Sequence, residues 1–135
     1  MAIDVLVELK INSATDIVEA RRRGKAMAAD MGFSSTDITI IATAISELAR
    51  NLIVHAKMGE MTLRAVTDGR RERIIIIAKD KGPGIADVDR AVRGGFSTAG
   101  GLGMGLSGVR RLMDEFDIQT ALGNGTTVTV AKWRR

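Results

Sequence analysis

A chain of 135 residues with 45% hydrophobic and 27% charged positions has the balance of one folded globular domain, not of a disordered or fibrous chain. The absence of cysteine excludes disulfides, thiolate zinc sites and thiol catalysis, and fits a reducing, cytoplasmic setting. A net charge of +4 admits a polyanionic partner, but 3% aromatic residues and no Tyr are poor material for stacking bases, so nucleic acid is not expected.

Residues 2 to 11 alternate apolar Ile3, Val5, Val7 and Leu9 with a mostly polar set, which predicts a half-buried strand. Asn12 or Ser13 then offers a cap for a helix running to about Met31, with Gly32 as its stop. Ser34, Ser35 and Thr36 precede a second helix, whose stripe Ile38, Ile41, Ile45, Leu48 and Leu52 runs at intervals of three and four. That helix should end near Lys57 or Gly59. Two strands follow, Glu60 to Thr67 and Arg71 to Lys79, joined at Asp68-Gly69, and the run Ile74 to Ile77 reads as a central strand buried on both faces.

After Asp80 the pattern changes. A polar segment with a short helix from Asp87 to Val92 leads into a glycine-rich stretch, 94 to 105; nine of the fifteen glycines fall between Gly82 and Gly108. Loops this long in a compact domain usually carry function. Helical spacing resumes from Leu106 to Phe116, and strands at about 117–122 and 126–133 flank Asn124-Gly125. The order predicts an α+β fold, a two-layer sandwich with helices on one face of a mixed or antiparallel sheet. Uncharged apolar runs such as Ile74 to Ala78 are too short to span a bilayer, and the N-terminus lacks the blocks of a signal peptide, so no membrane association is expected.

Three segments carry chemistry. On the second helix Glu47, Asn51 and His55 repeat every four residues and form one polar ridge beside the apolar stripe. A carboxylate and an amide one turn apart suit phosphoryl transfer: the amide oxygen is a hard ligand for Mg²⁺, and the carboxylate can orient or deprotonate a hydroxyl. Asp80-Lys81-Gly82-Pro83-Gly84 follows the most buried strand; its carboxylate can accept from an exocyclic amine such as that of adenine, and its glycines admit a ring close to the backbone. Gly100-Gly101-Leu102-Gly103-Met104-Gly105-Leu106 runs into a helix start, where free N–H groups and the helix dipole bind phosphate. Neither a dinucleotide-binding fingerprint after a buried strand nor a P-loop is present. The basic ends, Arg21 to Arg23 and Lys132 to Arg135, read as solvated surface.

In this order the three segments resemble the boxes of the GHKL (gyrase, Hsp90, histidine kinase, MutL) ATP-binding family, over nearly the whole chain. Within that family SELARN with His55-Ala56, GFSTAGGLGMGL and VRRLMDEF look like the small anti-sigma-type serine/threonine kinases, especially the switch kinases of stressosomes. The resemblance implies a Bergerat-type ATP-binding domain over 1–135, with ATP and Mg²⁺ as cofactors and a lid at about 86–104. It implies Glu47 as base, Asn51 as Mg²⁺ ligand, and Asp80 with Gly82, Gly84 and Thr126 at the adenine. Gly100, Gly101, Leu102, Gly103, Met104, Gly105 and Leu106 would lie at the phosphates. It further implies STAS-domain protein substrates and a downstream output protein such as a PP2C-type phosphatase; the alternative within the family is an anti-sigma factor that binds a sigma factor and phosphorylates its antagonist.

Overall fold

The computed structural model describes residues 4–69, 71–82, 105–120 and 123–135. Strand β1 (Asp4–Ile11) is followed by helices α1 (Ala14–Asp30) and α2 (Ser35–Ala56), then β2 (Gly59–Asp68), β3 (Arg71–Lys79), helix α3 (Gly105–Leu112), β4 (Glu115–Thr120) and β5 (Thr126–Trp133). The five strands form one sheet in the order β1-β2-β3-β5-β4, with every neighbouring pair antiparallel. This is the α+β sandwich expected, with the sheet antiparallel throughout. The expected helix at 87–92 and most of the glycine-rich stretch lie outside the described residues.

Local chemistry sets the helix ends. Ser13 caps α1, with its backbone N–H donating to the Asp16 carboxylate at 3.1 Å. At the other end Gly32 adopts φ +84°, and the N–H groups of Gly32 and Phe33 satisfy the carbonyls of Ala29 and Ala28. Ser34 caps α2 by accepting from the Asp37 N–H at 3.1 Å. Ile41, Ile45, Leu48 and Leu52 then turn into the core. Burying such a side chain stabilises by roughly 1.5–3 kcal/mol. By length and apolarity α2 is long enough to cross a membrane; here its apolar stripe is the centre of the helix–sheet core.

Register sorts the sheet into two faces. Met61, Leu63, Ile74, Ile76, Ala78, Val128 and Val130 all point toward the helices and are buried. The central strand is therefore dry on one side, while on the other Ile75 is covered and Ile77 only half-buried. The expectation of full burial on both faces is thus met only in part, because no described helix covers that second face.

The C-terminal region differs from the expected pattern in two places. Helix α3 ends at Leu112, and Phe116 belongs to β4, paired with Val130. Leu112, Met113 and Phe116 satisfy helical spacing, but Phe116 and Ile118 satisfy strand alternation equally, and pairing with β5 decides. Lys132, expected in a solvated tail, is 6% exposed. It pairs with Ile74 across β3, so its side chain enters the helix side. There its Nζ donates to the Leu112 carbonyl at 3.2 Å and lies 3.9 Å from Asp114 and 4.0 Å from Asp37.

Candidate active site

The four-residue spacing places Glu47, Asn51 and His55 on one flank of α2, next to the stripe that fastens the helix to the sheet. Glu47 is 7% exposed, and its Oε1 lies 3.5 Å from Arg50 Nη1. The Asn51 side-chain oxygen is buried and accepts no hydrogen bond among the described residues. A buried amide oxygen with open lone pairs is costly unless something occupies it. His55, half-buried, is held below the ordinary histidine range by burial, with the negative charge of Asp80 acting in the opposite direction.

Asp80 is the hub between α2 and the end of the sheet. Its backbone N–H donates to the Thr126 carbonyl at 2.9 Å. Its Oδ1 accepts from Gly82 N–H at 2.8 Å and from Thr126 N–H at 3.3 Å. Two backbone amides thus orient the carboxylate while its second oxygen takes no part in either contact. A Cβ at Gly82 would sit 2.8 Å from that of Ala56, so the turn packs directly against the last turn of α2. Gly125, at φ +83°, is pressed against the Asp80 carbonyl so tightly that any Cβ would strike it.

Thr126 is buried, with its hydroxyl 2.9 Å from that of Thr120. The Thr120 hydroxyl also lies 3.1 Å from the Gly125 carbonyl, to which it can donate, so the two hydroxyls tie β4 to the start of β5. Gly105 opens α3 and is half-buried, whereas Leu106 sends its side chain into the core. What Leu106 offers a ligand is its backbone N–H, one of the free donors of a helix N-terminus. Gly84, Gly100, Gly101, Leu102, Gly103 and Met104, with the expected lid, lie outside the described residues.

Of the residues expected from the sequence, Asp80, Gly82 and Thr126 meet in one turn, and that turn packs against the end of α2, the helix that carries Glu47 and Asn51. Sequence reasoning left the role of Arg50 open, although an i,i+3 spacing from Glu47 was there to be read, and it missed Thr120, which only the β4–β5 register brings to Thr126.

Residues 36–135 match the family of histidine kinase-, DNA gyrase B- and HSP90-like ATPases. The chain belongs to that family. The GHKL fold expected from the three segments is therefore the right one, and ATP is its nucleotide. The chain is 46% identical to the serine/threonine-protein kinase RsbT of Bacillus subtilis, over 94% of this chain and 96% of that protein. It is 34% identical to an anti-sigma F factor of Caldanaerobacter subterraneus over 95% of this chain and 93% of the relative. Among solved structures, one holding RsbU and RsbW domains from Mycobacterium tuberculosis superposes with a TM-score of 0.63 at 23% identity, over 98% of this chain and 33% of that one. This GHKL domain is an enzyme of the kinase kind.

Proposed function

We propose that the chain transfers the γ-phosphoryl group of Mg-ATP to a serine or threonine of STAS-domain proteins of the RsbS-like and RsbR-like kind, in the cytoplasm. Transfer frees it to bind and activate an output protein such as a PP2C-type phosphatase. The observation that carries this reading is the pairing on α2 of a buried carboxylate, Glu47, with a buried amide oxygen one turn on, that of Asn51, which accepts no hydrogen bond among the described residues.

The Asn51 oxygen has the chemistry of a magnesium ligand: hard, neutral and open. Magnesium supplies charge neutralisation on the phosphate oxygens. Glu47 takes the proton of the acceptor hydroxyl as its oxygen bonds to the γ-phosphorus and the bond to the β-phosphate oxygen breaks, releasing ADP. Asp80 accepts from the adenine amine, Gly82 and Gly84 let the ring approach, and Thr126 accepts from a bridging water. The amides from Gly100 to Leu106 meet the phosphates, and closure of residues 86–104 over the nucleotide keeps water from competing with the protein hydroxyl.

The test is γ-phosphate transfer from Mg-ATP to a purified STAS-domain protein of the same organism, with Asn51→Ala as control. Serine or threonine phosphorylation lost in the variant is the expected result. The likeness to anti-sigma F factors favours a second reading, in which the chain sequesters a sigma factor and phosphorylates its antagonist. Nucleotide-dependent binding to a sigma factor without transfer to stressosome STAS proteins would select that branch.

A further inference from the structure

The face of the sheet turned away from the helices carries a row of charged side chains. Lys10, Glu60 and Lys79 stand side by side in one cross-strand row. Their neighbours one position along, Leu9, Met61 and Ala78, form the next row and face the helices. Strand alternation therefore sends all three charged side chains to the helix-free side. Lys81 extends the row beyond β3, and all four residues are exposed.

These groups, with Asn12, Met58 and Asp80, line a cleft of about 470 Å³. Met58 is 61% exposed. Lys57 before it, also exposed, adopts a left-handed φ of 68°, a conformation costly for a non-glycine residue, and it ends α2 so that the chain turns toward the cleft. Lys79 and Lys81 also form the wall of a second cleft, of about 570 Å³, toward Gln119 and Asn124. Lys10, Lys57, Lys79 and Lys81 make no ion pair among the described residues. The lining sets Lys10, Lys79 and Lys81 against Glu60 and Asp80; with Asp80 Oδ1 engaged by the Gly82 and Thr126 amides and Lys57 exposed next to Met58, the rim around the exposed thioether is net positive.

We infer that this cleft is the docking surface for an acidic segment of the protein substrate, with an apolar side chain of that segment seated on Met58. The inference rests on the kinase reading for the identity of the partner. Charge complementarity selects an acidic surface, and steers its approach. Glu60 in the middle of the row selects a peptide over a nucleic acid. A continuous phosphate backbone would run against that carboxylate, whereas a peptide can set a backbone N–H or a basic side chain there. A flexible methionine is suited to an apolar anchor. The cleft adjoins the Asp80 turn at the end of α2, about 14 Å along the helix from Glu47 at 1.5 Å per residue. A standard interface of about 800 Å² per partner is roughly 30 Å across, wide enough to extend from the cleft around the end of α2.

The test uses the full chain and a STAS-domain protein of the same organism. Lys10→Glu/Lys79→Glu and, separately, Met58→Asp are compared with the unaltered protein in three measurements: equilibrium affinity for the STAS protein in the presence of a non-hydrolysable ATP analogue, KM and kcat for transfer, and the Kd of the analogue. The expected result is a loss of affinity of tenfold or more with a parallel rise in KM, while kcat and the analogue's Kd stay within twofold. Affinity of the unaltered protein should also fall more steeply with salt than that of the double variant. Unchanged affinity in both variants overturns the inference, as does a failure of the unaltered protein to bind the STAS protein. So does binding of a 20-base-pair DNA duplex that the charge reversal abolishes and the STAS protein does not displace. Cleft-dependent binding without phosphoryl transfer leaves the surface standing and defeats the kinase reading instead.

Discussion

Arg50 reaches back one turn to Glu47, with 3.5 Å between Nη1 and Oε1, and the two share the flank of α2 that also carries Asn51. The carboxylate is almost wholly buried while the guanidinium is about one-third exposed. The arginine is thus the outer member of the pair.

Removing the two partners should therefore give different kinetics. Glu47→Gln keeps the shape but cannot take a proton, and kcat for transfer should fall by roughly 10²–10⁴-fold with nucleotide affinity intact. Arg50→Ala leaves the proposed base in place but removes its ion-pair partner, and kcat should fall about tenfold, with Arg50→Lys recovering part of the loss. Initial rates at saturating ATP separate these outcomes. Equal losses in Glu47→Gln and Arg50→Ala would mean that the arginine acts directly on the phosphate.

In the proposed reading Asn51→Ala removes the magnesium ligand, so ATP affinity should lose its dependence on magnesium. Titration of ATP with and without Mg²⁺ should show a large metal effect on the unaltered protein and a small one on the variant. Because the oxygen has no described partner to abandon, the substitution leaves the fold intact, and the thermal midpoint should move little.

In the proposed reading Asp80 faces adenine, and Asp80→Asn tests that role without breaking the turn. The asparagine oxygen can still accept from the Gly82 and Thr126 amides, while its NH₂ takes the place of the acceptor offered to the base. ATP affinity should drop about 10–100-fold, the weight of a hydrogen bond to a charged group. The base preference should shift toward GTP, whose O6 is an acceptor where adenine has a donor. Competition between ATP and GTP in a binding assay measures both effects.

Much of this arrangement could be read from the order of residues, because the strongest periodicities belong to elements that are buried on one side. The stripe of α2 and the Asp68-Gly69 turn are local patterns with local causes. Lys132 is the opposite case. It sits in the basic sequence Lys-Trp-Arg-Arg, and only its pairing with Ile74 sends it inward beneath the end of α3. Phe116 is similar: two periodicities fit it, and a strand from a distant part of the sequence chooses between them. The link between Thr120 and Thr126 likewise exists only once β4 and β5 are in register.

The buried lysine yields a stability prediction. Its Nζ holds the last carbonyl of α3, and Asp114 has a second cation in Arg135, 2.9 Å away. Lys132→Met should thus cost less than the 3–5 kcal/mol typical of a broken buried pair, about 1–3 kcal/mol. Urea denaturation would show the loss as a lowered midpoint with an unchanged slope. Since α3 begins at Gly105, beside the stretch expected to bind phosphate, ATP affinity should fall along with stability.

The single histidine of the chain makes the pH response near neutrality assignable. Burial holds the His55 imidazole below its ordinary value, with Asp80 opposing. Between the lowered folded value and the ordinary value near 6.5, the unfolded chain binds more protons than the folded one. Stability then rises with pH across that window. The contribution is complete above the ordinary value and is lost as pH falls through the folded one. Asp114, held low chiefly by its hydrogen bond to Arg135, acts in the same direction but only in the acid range below 3.8, where it does not overlap. Urea midpoints measured from pH 7.5 down to 5.5 should therefore decline in the unaltered protein and stay flat in His55→Gln. Parallel curves for the two proteins would mean that the imidazole keeps its unfolded-state affinity for protons despite its place between α2 and Asp80.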